Sequence, residues 1–175
     1  APELNLVGVA AGGPVPNLRD LFAVNIETTV GRILIAMALS SWARVYDDAS
    51  LDQIVTPLAR PLVRRIARNC LYGSNQILAS VPGALALGLT FLSKPPWGVE
   101  PWETILEMNN PGGERTNIPI LLVQGGRDYQ VPPSELALWL DALDGRDGVT
   151  VREHPALNHL MMAGDGPSRP AEYAV

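Results

Sequence analysis

An aspartate and a histidine in the C-terminal third of the chain have the residue types and spacing of a catalytic pair. Asp128 lies in Gly125-Gly126-Arg127-Asp128-Tyr129, and His159 follows 31 residues later. A carboxylate that orients an imidazole allows the imidazole to take a proton from a nucleophile and return it to a leaving group. The residue types alone leave a second interpretation open, because an aspartate in a glycine-rich loop is commonly a turn former and a histidine after a strand commonly lies on the surface.

Three apolar segments predict the strands that would carry this pair. Residues 4–11 and 118–123 are short, rich in β-branched residues and followed by glycine pairs, which is typical of strands buried on both faces. Residues 149–153 form a third candidate strand. The apolar residues of 134–143 have helical spacing, which predicts a helix between the second and third strands. A strand, a helix and a strand within about 35 residues predict a βαβ unit with parallel strands.

The carboxyl ends of parallel strands are where functional groups gather, because the loops there converge on one crevice. Asp128 follows the second predicted strand and His159 follows the third, so we expect both side chains at the same edge of the sheet. We expect the glycines before Asp128 to allow a sharp turn of the backbone after the strand.

The segment between the first two predicted strands has a different pattern. Residues 17–110 are nearly all compatible with helix, and this insertion is far longer than the usual crossover between parallel strands. The helical patterns cover residues 28–46, 58–71, 76–80, 83–92 and 102–108. We expect residues 17–110 to form a helical cap over one end of the sheet, and residues 1–16 with 111–175 to form the α/β core.

The composition excludes several classes of protein. The chain has 175 residues, of which 47% are hydrophobic, and a net charge of −5. This charge argues against a nucleic-acid partner, which usually requires a basic face. The apolar stretches fall short of the roughly 20 residues of a membrane-spanning helix, so we expect no integral membrane span.

The basic residues and the cysteine within the predicted cap each have two interpretations. Arg60, Arg64, Arg65 and Arg68 are most simply the solvated face of an amphipathic helix, and the alternative is a site for an anionic head group. Cys70 is either a buried reduced cysteine or half of a disulfide with a cysteine outside this sequence.

Several sequence segments resemble a known superfamily. The run IPILLVQGGRDYQVP, followed by a helix, a strand and LNHL, resembles the C-terminal end of an α/β-hydrolase, where Asp follows the seventh strand and His follows the eighth. The segments LVGVAAGGPVPNL, TPLARPLVRRIARNCLY and PWETILEMNNPGG are similar to secretory lipases. The tail LNHLMMAGDGPSRPAEY also resembles dienelactone-hydrolase-like and peptidase-like members. The resemblance implies three parallel strands of an α/β-hydrolase fold with a helical cap insertion, and catalytic roles for Asp128 and His159.

The nucleophile of that superfamily has no counterpart here. Its serine lies on a G-x-S-x-G elbow between a strand and a helix, and precedes the aspartate and histidine in the chain. The sequence contains no such motif: Ser74 follows a helical pattern and lacks the second glycine, and Ser40 and Ser41 lie within a helical pattern. We therefore expect the nucleophile and the oxyanion hole to lie upstream of Ala1, and the isolated chain to be inactive without that N-terminal half.

The resemblance implies the C-terminal portion of a serine hydrolase that cleaves carboxylic esters or lipids through an acyl-enzyme. His159 would act as base and then acid, Asp128 would orient it, and neither a cofactor nor a metal is implied. Trp42, Phe91, Trp97 and Trp102 are candidates to line an acyl pocket, although ordinary core positions are the simpler interpretation for each.

Two alternatives remain open at this point: a peptidase or dienelactone-type hydrolase, and a non-catalytic binding module on the same fold. The resemblance to secretory lipases also implies secretion. In a secreted protein, a disulfide from Cys70 to an upstream cysteine would be favoured.

Overall fold

A computed structural model describes residues 5–69, 74–111, 116–169 and Glu172. These residues form two compact units, one from Asn17–Asn110 and the other from the described parts of Ala1–Pro16 and Pro111–Ala174. The predictions for Cys70, for the start of the first strand at Leu4 and for the end of the second helix at Leu71 fall outside the described residues.

The second unit is built on a parallel sheet of three strands. These are β1 (Val9–Gly12), β2 (Ile120–Gly125) and β3 (Val149–His154), in the order β1-β2-β3. The register pairs Ile120 with both Val9 and Val149, so the three strands end at the same edge. The predicted parallel arrangement is confirmed, and β2 is the central strand.

The first strand differs from its prediction in length and in burial. Residues 5–8, which were predicted to be strand, precede it, and most of β1 is exposed instead of being buried on both faces. Leu6 and Val7, which precede it, are 60% and 75% exposed. The reason is that β1 is an edge strand: within the described residues it pairs only with β2, and an apolar sequence is buried only where another layer covers it.

A single helix joins β2 to β3 and completes the predicted βαβ unit. Helix α6 spans Pro133–Ala142, within one residue of its prediction at each end. Two prolines precede and open it, which suits a helix start because the first-turn N–H groups have no partner inside a helix. Leu136 is buried, and the Trp139 indole N–H donates to the carbonyl of Pro14 at 3.1 Å.

The first unit is helical. Its helices are α1 (Leu18–Asn25), α2 (Thr29–Val45), α3 (Arg60–Ile66), α4 (Ser74–Leu87) and α5 (Trp102–Met108). The bounds predicted for α5 are confirmed at both ends, and α2 begins one residue later than predicted because the Thr28 side chain accepts the N–H of Gly31 as its N-cap. Helix α1 was not predicted as a separate element, although Asn17 caps it in the same way.

Two helix predictions need correction. Helix α3 is shorter than residues 58–71, and the helices predicted over residues 76–80 and 83–92 form one helix, α4, with Pro82 inside it and a 3₁₀ turn at Gly88–Thr90. A proline in a helix costs about 3 kcal/mol because it removes a hydrogen bond. Ala84 and Leu87 in the following turn are fully buried, and their packing offsets this cost.

The core of the helical unit contains the aromatic residues that were candidates for an acyl pocket. Trp102 is fully buried and its indole N–H donates to the Gln53 side chain at 2.8 Å, and Phe91 is 2% exposed. Trp42 stacks on Phe22 with ring centroids 5.7 Å apart, and Trp97 is half-buried against the same core. For Phe91 and Trp102 the pocket interpretation is therefore wrong, because their surfaces are already covered by their own unit.

Among the described helices, none combines the length and the apolar character that crossing a membrane requires.

The exposed edge at β1 predicts concentration-dependent self-association. We expect Val9→Lys to weaken it, because a charge on an edge strand opposes pairing with another chain. Sedimentation velocity across a range of protein concentrations would measure the effect. Val24→Lys is the matched control, since Val24 is exposed on α1. An equal effect of both substitutions, or a monomer at every concentration, would contradict the prediction.

Candidate active site

Asp128 is held rigidly in the loop that follows β2. Its backbone N–H donates to the carbonyl of Gly125 at 3.1 Å. Its Oδ1 accepts the backbone N–H groups of Gln130 and Val131, both at 2.9 Å. The side chain has no exposed surface, so these bonds fix the carboxylate and leave Oδ2 directed at a second partner.

That partner is His159, the histidine that the sequence places after β3. Its Nδ1 donates to Asp128 Oδ2 at 2.8 Å, and 26% of the histidine side chain is exposed. A carboxylate can only accept, so the bond assigns a proton to Nδ1. The structure thus brings the two predicted residues together, whereas His154 at the end of β3 is exposed and takes no part. The catalytic role of the pair stays a prediction.

The glycine pair after β2 allows the histidine loop to reach the aspartate. A Cβ at Gly125 would lie 2.5 Å from the carbonyl oxygen of Leu157, and one at Gly126 would lie 2.8 Å from Cα of Pro155. Neither glycine has a positive φ. The expected turn is present, since the Asp128 N–H bonds to the carbonyl of Gly125, but it needs no positive φ. Glycine is required at both positions because the two backbones touch, which leaves no room for a side chain.

Asn158 shapes the loop around His159. It is fully buried, and its Oδ1 accepts the N–H groups of Leu160 and Met162, both at 3.0 Å. Its own N–H donates to the carbonyl of Met162, and Met161 has a left-handed φ of 58°. The chain therefore closes tightly on both sides of the imidazole. Sequence reasoning missed this role, for which the only signal was an asparagine directly before the histidine.

Gln124 supports the aspartate loop from inside the sheet. Its Nε2 donates to the carbonyl of Val131 at 2.9 Å and to that of Gly125 at 3.2 Å, and it lies 3.5 Å from Asp128 Oδ2. The residue is 1% exposed. The sequence carried a signal for this role as well: a glutamine in an otherwise apolar strand must be satisfied by hydrogen bonds if it is buried.

Gly13, just after β1, packs directly against the pair. A Cβ there would lie 3.0 Å from both Asp128 Oδ2 and His159 Nδ1, and its φ of +52° is left-handed. Its N–H donates to the carbonyl of Val123 in β2 at 2.8 Å. The segment that follows each of the three strands therefore contributes one residue to the site.

The segment after His159 is held to the aspartate loop by Arg127. Its guanidinium donates to both carboxylate oxygens of Glu172 at 2.8 Å and to the carbonyl of Gly166 at 2.5 Å. The side chain is 7% exposed. Both bonds to Glu172 come from Nη2, and this partly buried ion pair fixes Glu172 beside the loop that carries Asp128.

The other residues considered from the sequence lie elsewhere. Ser40 and Ser41 lie within α2, and Ser74 begins α4, so none occupies a strand-to-helix elbow. In the described part of the chain, no group of three or more His, Cys, Asp and Glu side chains is arranged to hold a metal ion.

Comparison with known proteins gives both a sequence relative and structural neighbours. No protein-family model matches the sequence. Esterase EstD of Thermotoga maritima is 48% identical over 60 residues, which are 34% of this chain and 15% of the esterase. The structure of Candida antarctica lipase A matches 91% of this chain and 39% of the lipase with a TM-score of 0.67 and 17% identity. A candidate hydrolase from Legionella pneumophila matches 91% of this chain and 45% of its own, with a TM-score of 0.64 and 18% identity.

The fold is that of an α/β-hydrolase. These matches confirm the fold class predicted from the sequence and the resemblance to the C-terminal part of an α/β-hydrolase. The chain covers less than half the length of each of these proteins. At 17–18% identity, the structural neighbours establish the fold of this chain alone.

The contact of Gly13 with the pair predicts a large effect of Gly13→Ala. We expect a loss of about 2–4 kcal/mol in the free energy of unfolding, because the left-handed backbone is strained and Cβ displaces the hydrogen-bonded side chains. Urea denaturation would measure the loss, and the ¹⁵N shift of His159 Nδ1 would report the displaced bond.

Two further glycines separate these causes. Gly145 has a φ of +67° with open space around it, so Gly145→Ala tests strain alone. Gly8 has no left-handed φ and a Cβ there would make only an ordinary contact, so Gly8→Ala is the control in which neither strain nor crowding is expected. A Gly13→Ala protein as stable as Gly145→Ala, with an unchanged Nδ1 shift, would refute the packing argument.

Proposed function

We propose that this chain carries the aspartate and histidine of a serine hydrolase that cleaves carboxylic esters. The observation that carries the proposal is the 2.8 Å bond from His159 Nδ1 to an Asp128 carboxylate that is buried and fixed by two backbone N–H groups. The local 48% identity to an esterase of Thermotoga maritima supports ester substrates.

The chemistry follows from that bond. With a proton on Nδ1, the Nε2 lone pair of His159 accepts the proton of a serine hydroxyl as its oxygen attacks the ester carbonyl. The imidazolium then gives the proton to the departing alcohol, which leaves an acyl-enzyme. In the second half of the reaction, His159 takes a proton from water as the water oxygen attacks the acyl-enzyme. The imidazolium then returns that proton to the serine oxygen as the acid leaves. Asp128 keeps the imidazole in the required tautomer and stabilises its charge during both steps.

We place the serine nucleophile and the oxyanion hole on polypeptide outside this chain. The 175 residues contain no G-x-S-x-G motif, and the chain matches only 39–45% of the structures that share its fold. On the side of β1 away from β2, where no described strand pairs, further strands of an α/β-hydrolase sheet would pair.

We further propose that the helical unit acts as a cap that controls substrate access, and that the protein is secreted. The first proposal rests on its length as an insertion between parallel strands, and the second rests on the sequence resemblance to secretory lipases. The candidate lining residues are then apolar side chains exposed on its surface, such as Val30 and Leu34 of α2, which are 46% and 42% exposed.

The role of the pair predicts the effect of two substitutions in the product of the complete open reading frame. We expect Asp128→Asn and His159→Gln to lower kcat for a short-chain p-nitrophenyl ester by about 10⁴-fold, because the imidazole loses its orientation or is absent. His154→Gln is the control and should leave kcat within about twofold, since this histidine is exposed and outside the site.

A panel of substrates assayed on the same complete protein would decide between the remaining classes of hydrolase. Triacylglycerols, peptides and a dienelactone form the panel, and a preference for peptides or the dienelactone would overturn the ester proposal. Full activity of His159→Gln would overturn the catalytic role of the pair itself.

The proposed location of the nucleophile predicts that the 175-residue chain has no esterase activity above background. We also expect a fluorophosphonate probe, which reacts with activated serines, to label the complete protein and leave this chain unlabelled. Mass spectrometry of the labelled peptides would identify the serine. Labelling of a serine within the 175 residues, with matching esterase activity, would show that the nucleophile lies in this chain.

A further inference from the structure

A cavity in the helical unit has a basic wall that the proposed ester chemistry does not use. It has a volume of about 240 Å³ and lies between α2, the 3₁₀ turn at Leu51–Gln53 and α3. Its polar lining comes from Ser40, Arg44, Ser50, Arg64 and Arg68, and the rest of the wall consists of alanines and a leucine. Its lining includes three arginines and no acidic side chain, a charge pattern that favours an anion over a cation.

The three arginines of this wall lack anionic partners. The side chains of Arg44, Arg64 and Arg68 make no hydrogen bond or ion pair in the part of the chain that the structure describes, and all three are exposed. Arg60, one turn earlier on α3, shows the contrast: it pairs with Asp52 at 2.9 Å and donates to the carbonyl of Val55. Three like charges around one small cavity repel one another, and a bound anion would relieve that repulsion.

A buried hydroxyl on the same wall also lacks a partner. Ser40 is 7% exposed, and its Oγ makes no hydrogen bond in the described structure. A serine inside a helix commonly donates to the carbonyl four residues earlier, which Ser40 does not do. Leaving a buried hydroxyl unsatisfied costs about 1–3 kcal/mol. The Oγ is itself covered, so it can donate to a ligand in the cavity only after the side chain rotates about χ1.

We propose that this cavity binds a phosphate group, carried by a soluble phosphate ester or by an anionic lipid head group. Guanidinium groups match phosphate oxygens with paired N–H donors, and their positive charge suits a dianion. The volume lies below the about 300–1,000 Å³ of pockets for drug-sized ligands, which suits a single small group. The site lies wholly within the helical unit and does not depend on the ester hydrolysis proposed above.

The test is isothermal titration of the 175-residue chain with inorganic phosphate and glycerol 3-phosphate, with acetate and sodium chloride as comparisons at equal ionic strength. We expect both phosphates to bind, and Arg64→Gln and Arg68→Gln each to weaken that binding by about tenfold. Arg65→Gln is the matched control: it removes the same charge from the same helix, but Arg65 does not line the cavity. It should change binding by less than about twofold.

Ser40→Ala separates a ligand site from an ordinary surface charge. We expect it to weaken phosphate binding by about threefold or more while leaving the unfolding midpoint without phosphate unchanged or raised, because an unsatisfied hydroxyl is removed. Vesicles then distinguish the sources: binding to phosphatidylglycerol vesicles that Arg64→Gln abolishes indicates a lipid head group, and binding restricted to glycerol 3-phosphate indicates a soluble ester. The proposal is overturned if acetate binds as tightly, if Arg65→Gln weakens binding as much as Arg64→Gln, or if phosphate does not bind.

Discussion

The buried carboxylate of Asp128 is the constraint on which the candidate active site depends. A buried charge costs several kcal/mol unless hydrogen bonds replace its lost hydration. Here Oδ1 accepts two backbone N–H groups, and Oδ2 accepts His159 Nδ1 and lies within reach of the Gln124 amide. The loop after β2 must turn tightly to supply the first two bonds, and the loop after β3 must approach it closely to supply the third. The imidazole is therefore fixed in place because its N–H is one of the donors that the buried carboxylate requires.

That close approach explains the small residues around the pair. Gly125 touches the backbone before His159, and Gly13 lies against both members of the pair, so a Cβ at either position would separate groups that must be in contact. Because the three parallel strands end at one edge, Gly13, Asp128 and His159 come from three distant parts of the sequence yet meet there. The parallel sheet therefore determines which residues meet at the site, and the close contacts between loop backbones determine the distances between them.

The sequence predicted those features that periodicity and strand order determine. Helix α5, the βαβ unit and the meeting of Asp128 with His159 belong to this group. The burial of β1 could not be predicted, because it depends on which elements cover a strand and not on the strand's own residues. The roles of Gln124 and Asn158 depend on hydrogen bonds to loop backbone, whose positions exist only after folding. The turn at the glycines before Asp128 was predicted, whereas the close approach of the histidine loop, which is what requires glycine there, exists only after folding.

The largest aromatic side chains of the helical unit lie in its core. Trp102 and Phe91 fill the core of the helical unit, and the indole N–H of Trp102 is already bonded to Gln53. Exposing either aromatic residue to a substrate would give up its burial, which is worth about 1.5–3 kcal/mol for a large apolar side chain. The acyl chain of the proposed ester substrate would therefore be better accommodated by side chains that are exposed in the folded unit. Trp102 and Phe91 therefore serve the stability of the unit. The ligands proposed above would be met at its surface, where Arg44, Arg64 and Arg68 have no anionic partner among the described residues.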